Sequence, residues 1–195
     1  MPDTDPAATG EITRLLDQWT GGDAEALQRV AQLLYPEWRV MAGGYFRGER
    51  TGHTLQPTAL INEAYMLLSK IRPRGFDNRC EFQGLVAQLM RQVLVDHARR
   101  VKAAKRGGGA QAVPDANPAA EEVMSAEQFL TLHAALDDLA ARNARKAQVI
   151  ELRYFGGLSQ EEVGEALGIS IATVHREQRM AEAWLNRALQ REVFA

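Results

Sequence analysis

The sequence predicts an all-α protein, and three observations carry that prediction. Apolar residues recur at intervals of three and four along most of the chain, the period of one helix face. No segment shows the alternation of a half-buried strand, or a strand-forming run long enough for a sheet. The composition is that of a helical globular chain, 46% hydrophobic and 25% charged with 7% aromatic residues, and alanine is frequent throughout. At 195 residues the chain can bury one medium core or two small ones. Near its middle, Gly107-Gly108-Gly109 and the Ala/Pro/Asp-rich run to Pro118 have no apolar period and read as a flexible tether. Two helical domains are therefore predicted, over 10–106 and 126–195, joined by a linker at 107–125.

In the first domain, Ile12, Leu15, Leu16 and Trp19 form one helix face, and Gly21-Gly22 stops the run. Asp23 offers an N-cap to a second helix that carries Leu27, Val30, Ala31, Leu34 and Trp38 inward. That helix should run toward Phe46, with Pro36 and Gly43-Gly44 as places for a kink or a division. A third helix opens at Pro57, where a missing N–H costs nothing, and its stripe is Leu60, Ile61, Ala64, Tyr65, Leu68 and Ile71. Pro73 and Gly75 end it. A fourth, starting near Arg79, buries Phe82, Leu85, Val86, Leu89, Val93 and Leu94, then turns basic through Arg99, Arg100, Lys102, Lys105 and Arg106.

In the second domain, Phe129, Leu132, Leu136 and Leu139 predict one helix and Val149, Ile150 and Leu152 another, closed by Gly156-Gly157. The strongest local signal is Leu158 to Arg179, LSQEEVGEALGISIATVHREQR. Ser159 and Glu162 have the spacing of a capping box, and Val163 and Leu167 face inward. Gly164 stands where a second helix must cross closely, Gly168 tolerates positive φ in the turn, and Ile169 plugs the corner. Ser170 caps the next helix, whose Val174, Ala181, Trp184 and Leu185 point to the core. Ala172, Thr173, His175, Arg176 and Arg179 share its outer side. This is a helix-turn-helix with its second helix placed to read a DNA major groove. Arginine there can pair bidentately with guanine or hold a phosphate, and His175 fits either a base reader or a plain surface residue.

Charge is segregated behind a formal net charge of −2. From Lys70 to Arg106 ten Lys or Arg face three acids, while Gly107 to Glu127 holds four acids and no base. The basic segment is a candidate for a polyanion, although such a run on its own is also the mark of a solvated face. Other classes find no support. His53, His97, His133 and His175 are scattered, no H-E-x-x-H or phosphate-loop pattern occurs, and the single cysteine, Cys80, has no motif partner. No catalytic residue, metal site or cofactor is expected, so the chain reads as a non-enzyme. The acidic start Met1-Pro2-Asp3-Thr4-Asp5 is unlike a signal peptide, and no stretch approaches the ~18 apolar residues of a membrane span. A cytoplasmic location without membrane contact is the expectation.

A helical lobe ending in a basic helix, a linker, and a helix-turn-helix lobe resemble the extracytoplasmic-function (ECF) sigma factors of the sigma-70 family, over nearly the whole chain. GHTLQPTALINEAYMLL (Gly52 to Leu68) and LMRQVLVDHARRVKAAKRGGG (Leu89 to Gly109) resemble one subgroup of it. The resemblance implies a subunit that binds core RNA polymerase, selects promoters and helps open the duplex. By the family's pattern, residues 10–106 match sigma domain two and 126–195 sigma domain four. Ser170, Thr173, His175, Arg176 and Arg179 would then read the duplex minus-thirty-five element. The minus-ten element, read as a single strand, would fall to Asn78 and Arg79 in a loop pocket, with Arg91, Arg99, Arg100, Lys102, Lys105 and Arg106 on the backbone. Phe76 fits such a loop or the core equally, whereas core packing is the better reading of Phe82.

The resemblance also implies docking of the third helix on the beta-prime clamp of the polymerase, through Asn62, Glu63, Met66, Ser69 and Lys70. Here the sequence departs from the wider family, whose members place several acids at this point. From Arg50 through Leu68 the only acid is Glu63. Thr51, Thr54 and Thr58 lie before or within the first turn, and Arg47 and Arg50 precede Thr51 at positions a basophilic Ser/Thr kinase could use. Phosphorylation there would supply the missing charge, Thr51 first; the alternative is that these threonines only cap the helix or brace the loop. An autonomous helix-turn-helix repressor or activator is the competing function, but it would need a dimerisation surface, and no heptad or dimer helix is evident.

Overall fold

The computed structural model describes residues 6–46, 55–71, 75–76, 78–106 and 126–193, with side chains described for all of these but 6–9, 104–106, 126, 192 and 193. The predicted linker 107–125 lies outside these residues, as do Thr51 and Thr54. The architecture is all-helical: α1 (Pro6–Thr20), α2 (Ala24–Tyr45), α3 (Pro57–Leu68), α4 (Arg79–Arg106), α5 (Ala126–Arg142), α6 (Ala144–Ile150), a π turn (Glu151–Phe155), α7 (Gln160–Leu167) and α8 (Ile171–Val193). No strand occurs among the described residues, and none of their helices is long and apolar enough to cross a membrane.

Local chemistry sets the boundaries of the first four helices. Asp23 Oδ1 accepts from the N–H groups of Glu25 (2.9 Å) and Ala26 (3.3 Å), so α2 starts with two of its unsatisfied donors paired. The helix then runs through Pro36, Gly43 and Gly44 without being divided. Leu34 and Trp38, on either side of Pro36, are fully buried, and their packing holds the helix across the hydrogen bond that proline removes. Pro57 opens α3 at its first position. Asn78 caps α4, its Oδ1 accepting from Glu81 N–H at 2.9 Å.

The first lobe packs α1–α4 around Leu15, Leu16, Val30, Leu34, Leu60, Leu68, Phe82 and Met90. At one end Trp19 stacks on Phe76 at 5.9 Å, and both meet the edge or face of Phe82 in T-shaped contacts at 6.0 and 5.4 Å. Phe82 is core, as its reading favoured. Phe76, open between loop and core, is half-buried in this aromatic group. Buried Gln83 links the helices: it accepts from Trp38 Nε1–H at 3.2 Å and donates to Glu37, which also pairs with Arg79.

The second lobe has two small cores. Leu136, Leu139, Ile150, Ala181 and Leu185 join α5, α6 and α8, while Val149, Leu152, Leu158, Val163 and Val174 lie under the helix-turn-helix. The reading of Val149, Ile150 and Leu152 as one regular helix holds only to Ile150. Beyond it the turns widen, and Gly156 N–H reaches back to Glu151 O at 2.8 Å. The widening serves both sides: Leu152 stays with Val149 in the core, while Glu151 and Phe155 are delivered to the first lobe.

The lobes meet along α4, which packs on α5, the π turn and α7. Tyr45 donates to Ala87 O at 3.3 Å and its ring lies 5.6 Å from Phe155. Cys80 packs on the core under the helix-turn-helix, and burial, with Glu165 and Glu162 nearby, pushes its thiol up to about 11.

Candidate nucleic-acid interface

The helix-turn-helix is built as its sequence dictates. Ser159 Oγ accepts from Glu162 N–H at 3.2 Å and Glu162 Oε2 from Ser159 N–H at 2.7 Å, the reciprocal capping box. Gly168 ends α7 at φ +62°, where its N–H reaches Glu165 O and Ile169 N–H reaches Gly164 O at 2.9 Å. A Cβ on Gly164 would sit 2.9 Å from Ile169 O of the turn, too close for an unshifted backbone, and in ordinary contact with Val174 at 3.8 Å, so it is the turn that folds back onto α7 at a distance suited to glycine. Ser170 Oγ then accepts from Thr173 N–H at 3.3 Å and lies 3.0 Å from Thr173 Oγ1. Ser170 is thereby a cap, and its hydroxyl is already engaged.

On α8, Val174 is buried, while Ala172, His175, Arg176 and Arg179 are exposed and Thr173 is half-exposed. His175 Nδ1 lies 3.3 Å from Gln160 Nε2, which also donates to Gln178, so α7 braces the first turns of α8. Farther along, Gln178 and Tyr154 both converge on Glu182. The face offered to solvent is short, polar and cationic, with its backbone held from both sides.

One residue that the periodicity passes over is Glu177. It stands in register with Val174, Ala181 and Leu185 on the inward face of α8, and its side chain is 5% exposed. A carboxylate at such a position requires cations, and three reach it: Arg145 at 3.3 Å, Lys146 at 3.4 Å and Arg176 at 3.7 Å. Burial pushes the Glu177 carboxyl up, but Lys146, Arg145 and Arg176 outweigh it and hold the group below the usual carboxylate range. The signal was present in the sequence as an acid interrupting an apolar stripe.

The basic segment of the first lobe divides. Arg99 and Arg100 are exposed, and Lys105 and Arg106 close α4 with side chains outside the described set. Arg91 is elsewhere. Its side chain is 15% exposed and points into the second lobe, with Nε 2.5 Å from Glu151 Oε1, NH1 3.5 Å from Asp137, and a contact to His133 Nδ1. Gln88 also donates to Glu151, at 3.2 Å. Expected on an open cationic face, Arg91 lies in the junction because Glu151 and Asp137 supply its counter-charge there. Asn78 reaches the same side, its Nδ2 3.4 Å from Glu165 O of α7, Arg79 is held by Glu37, and Lys102 pairs with Glu127 of α5 at 2.8 Å.

The outer side of α3 carries Asn62, Glu63 and Met66, with Ser69 and Lys70 in the turn that follows, all exposed, together with Thr58 in the first turn. Asn62, Glu63, Met66 and Leu67 form one wall of a groove of about 510 Å³, and Val93, Asp96 and Arg100 of α4 form the other. Glu63 and Arg100 approach to 3.9 Å across it. Arg100, expected on a nucleic-acid backbone, thus shares a surface with the polymerase-docking candidates.

A family model described as ECF sigma factor matches residues 9–191. No curated protein matches the chain.

Proposed function

The chain belongs to the ECF sigma factor family, whose members bind core RNA polymerase and promoter DNA, and from that membership we propose how its residues divide the sigma role. The second lobe reads the duplex minus-thirty-five element through the outer side of α8, with Arg176 and Arg179 as arginines to guanine or phosphate and Thr173 and His175 as neighbouring polar contacts. Ser170 sets the start of α8. The observation that carries this reading is the presentation of exposed His175, Arg176 and Arg179 and half-exposed Thr173 directly after a capped turn. The first lobe docks on the polymerase clamp through Asn62, Glu63, Met66, Ser69 and Lys70, and Asn78 and Arg79 hold the unpaired minus-ten element. Arg99, Arg100, Lys102, Lys105 and Arg106 neutralise that strand's backbone. Arg91 joins them once the lobes part along the 107–125 linker on polymerase.

Run-off transcription from purified core enzyme and this chain tests the assignment. Wild type should initiate at its own promoter, and Arg176→Ala should lower initiation roughly 5- to 150-fold, the worth of one lost base contact of about 1–3 kcal/mol. Tight promoter binding by the chain alone, unaffected by core enzyme in a gel shift, would instead identify an autonomous repressor.

We further propose that phosphorylation of Thr51 strengthens clamp docking. What supports it is the shortage of acid: Glu63 is the only one from Arg50 through Leu68, and the first turn of α3 holds none. A phosphate adds about −1.5 to −2 charges where the start of a helix favours them. In the same run-off assay the phosphorylated protein should exceed the unmodified one, and Thr51→Ala should remove the response to kinase. Equal activity of the modified and unmodified forms would reject the switch.

A further inference from the structure

Glu177 has a consequence for the reading surface that its burial alone does not express. Lys146, 17% exposed, lies 3.4 Å from the other carboxylate oxygen, Oε2. Arg145 and Arg176 share Oε1: both lie within 4 Å of it, yet their side chains are 52% and 63% exposed. Two guanidinium groups repel each other in solvent, and a shared, immobile carboxylate oxygen keeps them side by side. Their remaining N–H donors are not consumed by one oxygen, and a planar donor fork suits a phosphate. Arg145 comes from α6 and Arg176 from the outer side of α8, so the cationic surface extends from the reading helix onto a neighbouring element.

We propose that Arg145 is a phosphate-binding group for duplex DNA, set beside the base-reading Arg176 by the buried carboxylate of Glu177, which is a positioning residue. This rests on the reading of α8 as the minus-thirty-five reader. Arg145 anchors the strand backbone and carries no base information, while Glu177 limits the directions in which Arg176 can approach the groove. A phosphate contact and a base contact on one carboxylate couple grip to register.

The opposite signs expected for two kinds of variant provide the test. Holoenzyme assembled from core polymerase and the full chain is titrated over a range of salt onto a duplex that wild-type holoenzyme has selected from a randomised pool. Arg145→Ala should weaken binding about three- to tenfold on every upstream sequence and make the log–log salt slope shallower by about 0.9. Arg145→Lys should restore the slope, since lysine serves a phosphate as a point charge. Glu177→Gln removes a negative charge close to DNA, and simple electrostatics would make it bind tighter. Positioning requires the reverse: weaker binding and loss of preference at the base pair read by Arg176.

An unchanged salt slope in Arg145→Ala would overturn the proposal, and so would tighter binding with intact preference in Glu177→Gln. Arg145 is half-exposed, so its variant keeps the test valid even if Glu177→Gln folds poorly. Failure of the underlying reading looks different: wild-type holoenzyme would select no upstream sequence, or Arg176→Ala would retain the full preference.

Discussion

Glu151→Leu is expected to release the two lobes from each other. The carboxylate is 10% exposed and holds Arg91, itself 15% exposed, at 2.5 Å, so its loss leaves a guanidinium facing a largely dry junction. Breaking such a pair costs about 3–5 kcal/mol, and the value here should fall near the lower end because Asp137 stays within 3.5 Å of Arg91. Small-angle scattering should record a larger radius of gyration, and urea unfolding of the lobes should become separate. The double variant Arg91→Met/Glu151→Leu should recover much of the closed arrangement, since apolar replacement of a buried pair is often neutral. A radius unchanged in Glu151→Leu would show that the pair does not hold the junction.

The same junction should respond to acid. His133 lies among Asp137 of its own helix, Arg91 and Arg99 of α4, and Glu151 of the π turn. Burial lowers its pKa; Asp137 opposes, Arg91 and Arg99 reinforce, and Glu151 opposes. The geometry agrees, for Nδ1 faces the Arg91 guanidinium as an acceptor and Nε2 faces Asp137 at 3.3 Å, which is the neutral ring. In an open form the ring regains its ordinary value near 6.5 and binds protons more readily than in the closed form. Closure is therefore favoured in full above about pH 6.5 and weakens progressively below it. Scattering across pH 5–8 in wild type and His133→Gln reads this directly: only wild type should expand at the acid end.

Gly164→Val is expected to disable the second lobe as a reader. The added Cβ would lie 2.9 Å from Ile169 O, a backbone atom that cannot rotate away, and the branched methyls would press toward Val174. Overpacking of this kind costs about 1–3 kcal/mol, and relief requires shifting the turn at Ile169, and with it the start of α8. Thermal unfolding should shift down, and initiation that depends on the upstream element should fall by more than the stability loss explains. Binding of the first lobe to core enzyme should be unaffected. Full initiation from Gly164→Val would show that the close approach of this turn has no bearing on reading.

What was legible in the sequence was what depends on near neighbours. Asp23, Pro57, Ser159 with Glu162, Gly164 and Gly168 each answer to a partner within a few positions, and all are found where the chain demands them. The apolar stripes gave the helices and Phe82 its core. Contacts set by docking were not legible: Arg91 meets Glu151 sixty positions away, and Asn78 meets Glu165 eighty-seven away. In a basic segment, an arginine destined for a partner lobe looks like one destined for DNA. The π turn was hidden because Val149, Ile150 and Leu152 suit an ordinary helix as well as a widened one. Glu177 was readable in principle, but only by asking why an acid should interrupt an inward stripe.

The wide turn at Glu151–Phe155 acts as a phase offset between the halves of the chain. An α-helix advances about 100° per residue and a wider turn advances less, so tightening this segment to ordinary pitch with no residue removed would swivel everything after it. Glu151 would keep its bearing on Arg91, but the reading helix would face a different quarter. The bearing of the α8 face proposed for DNA relative to the α3 face proposed for polymerase is thus set by the width of that one turn.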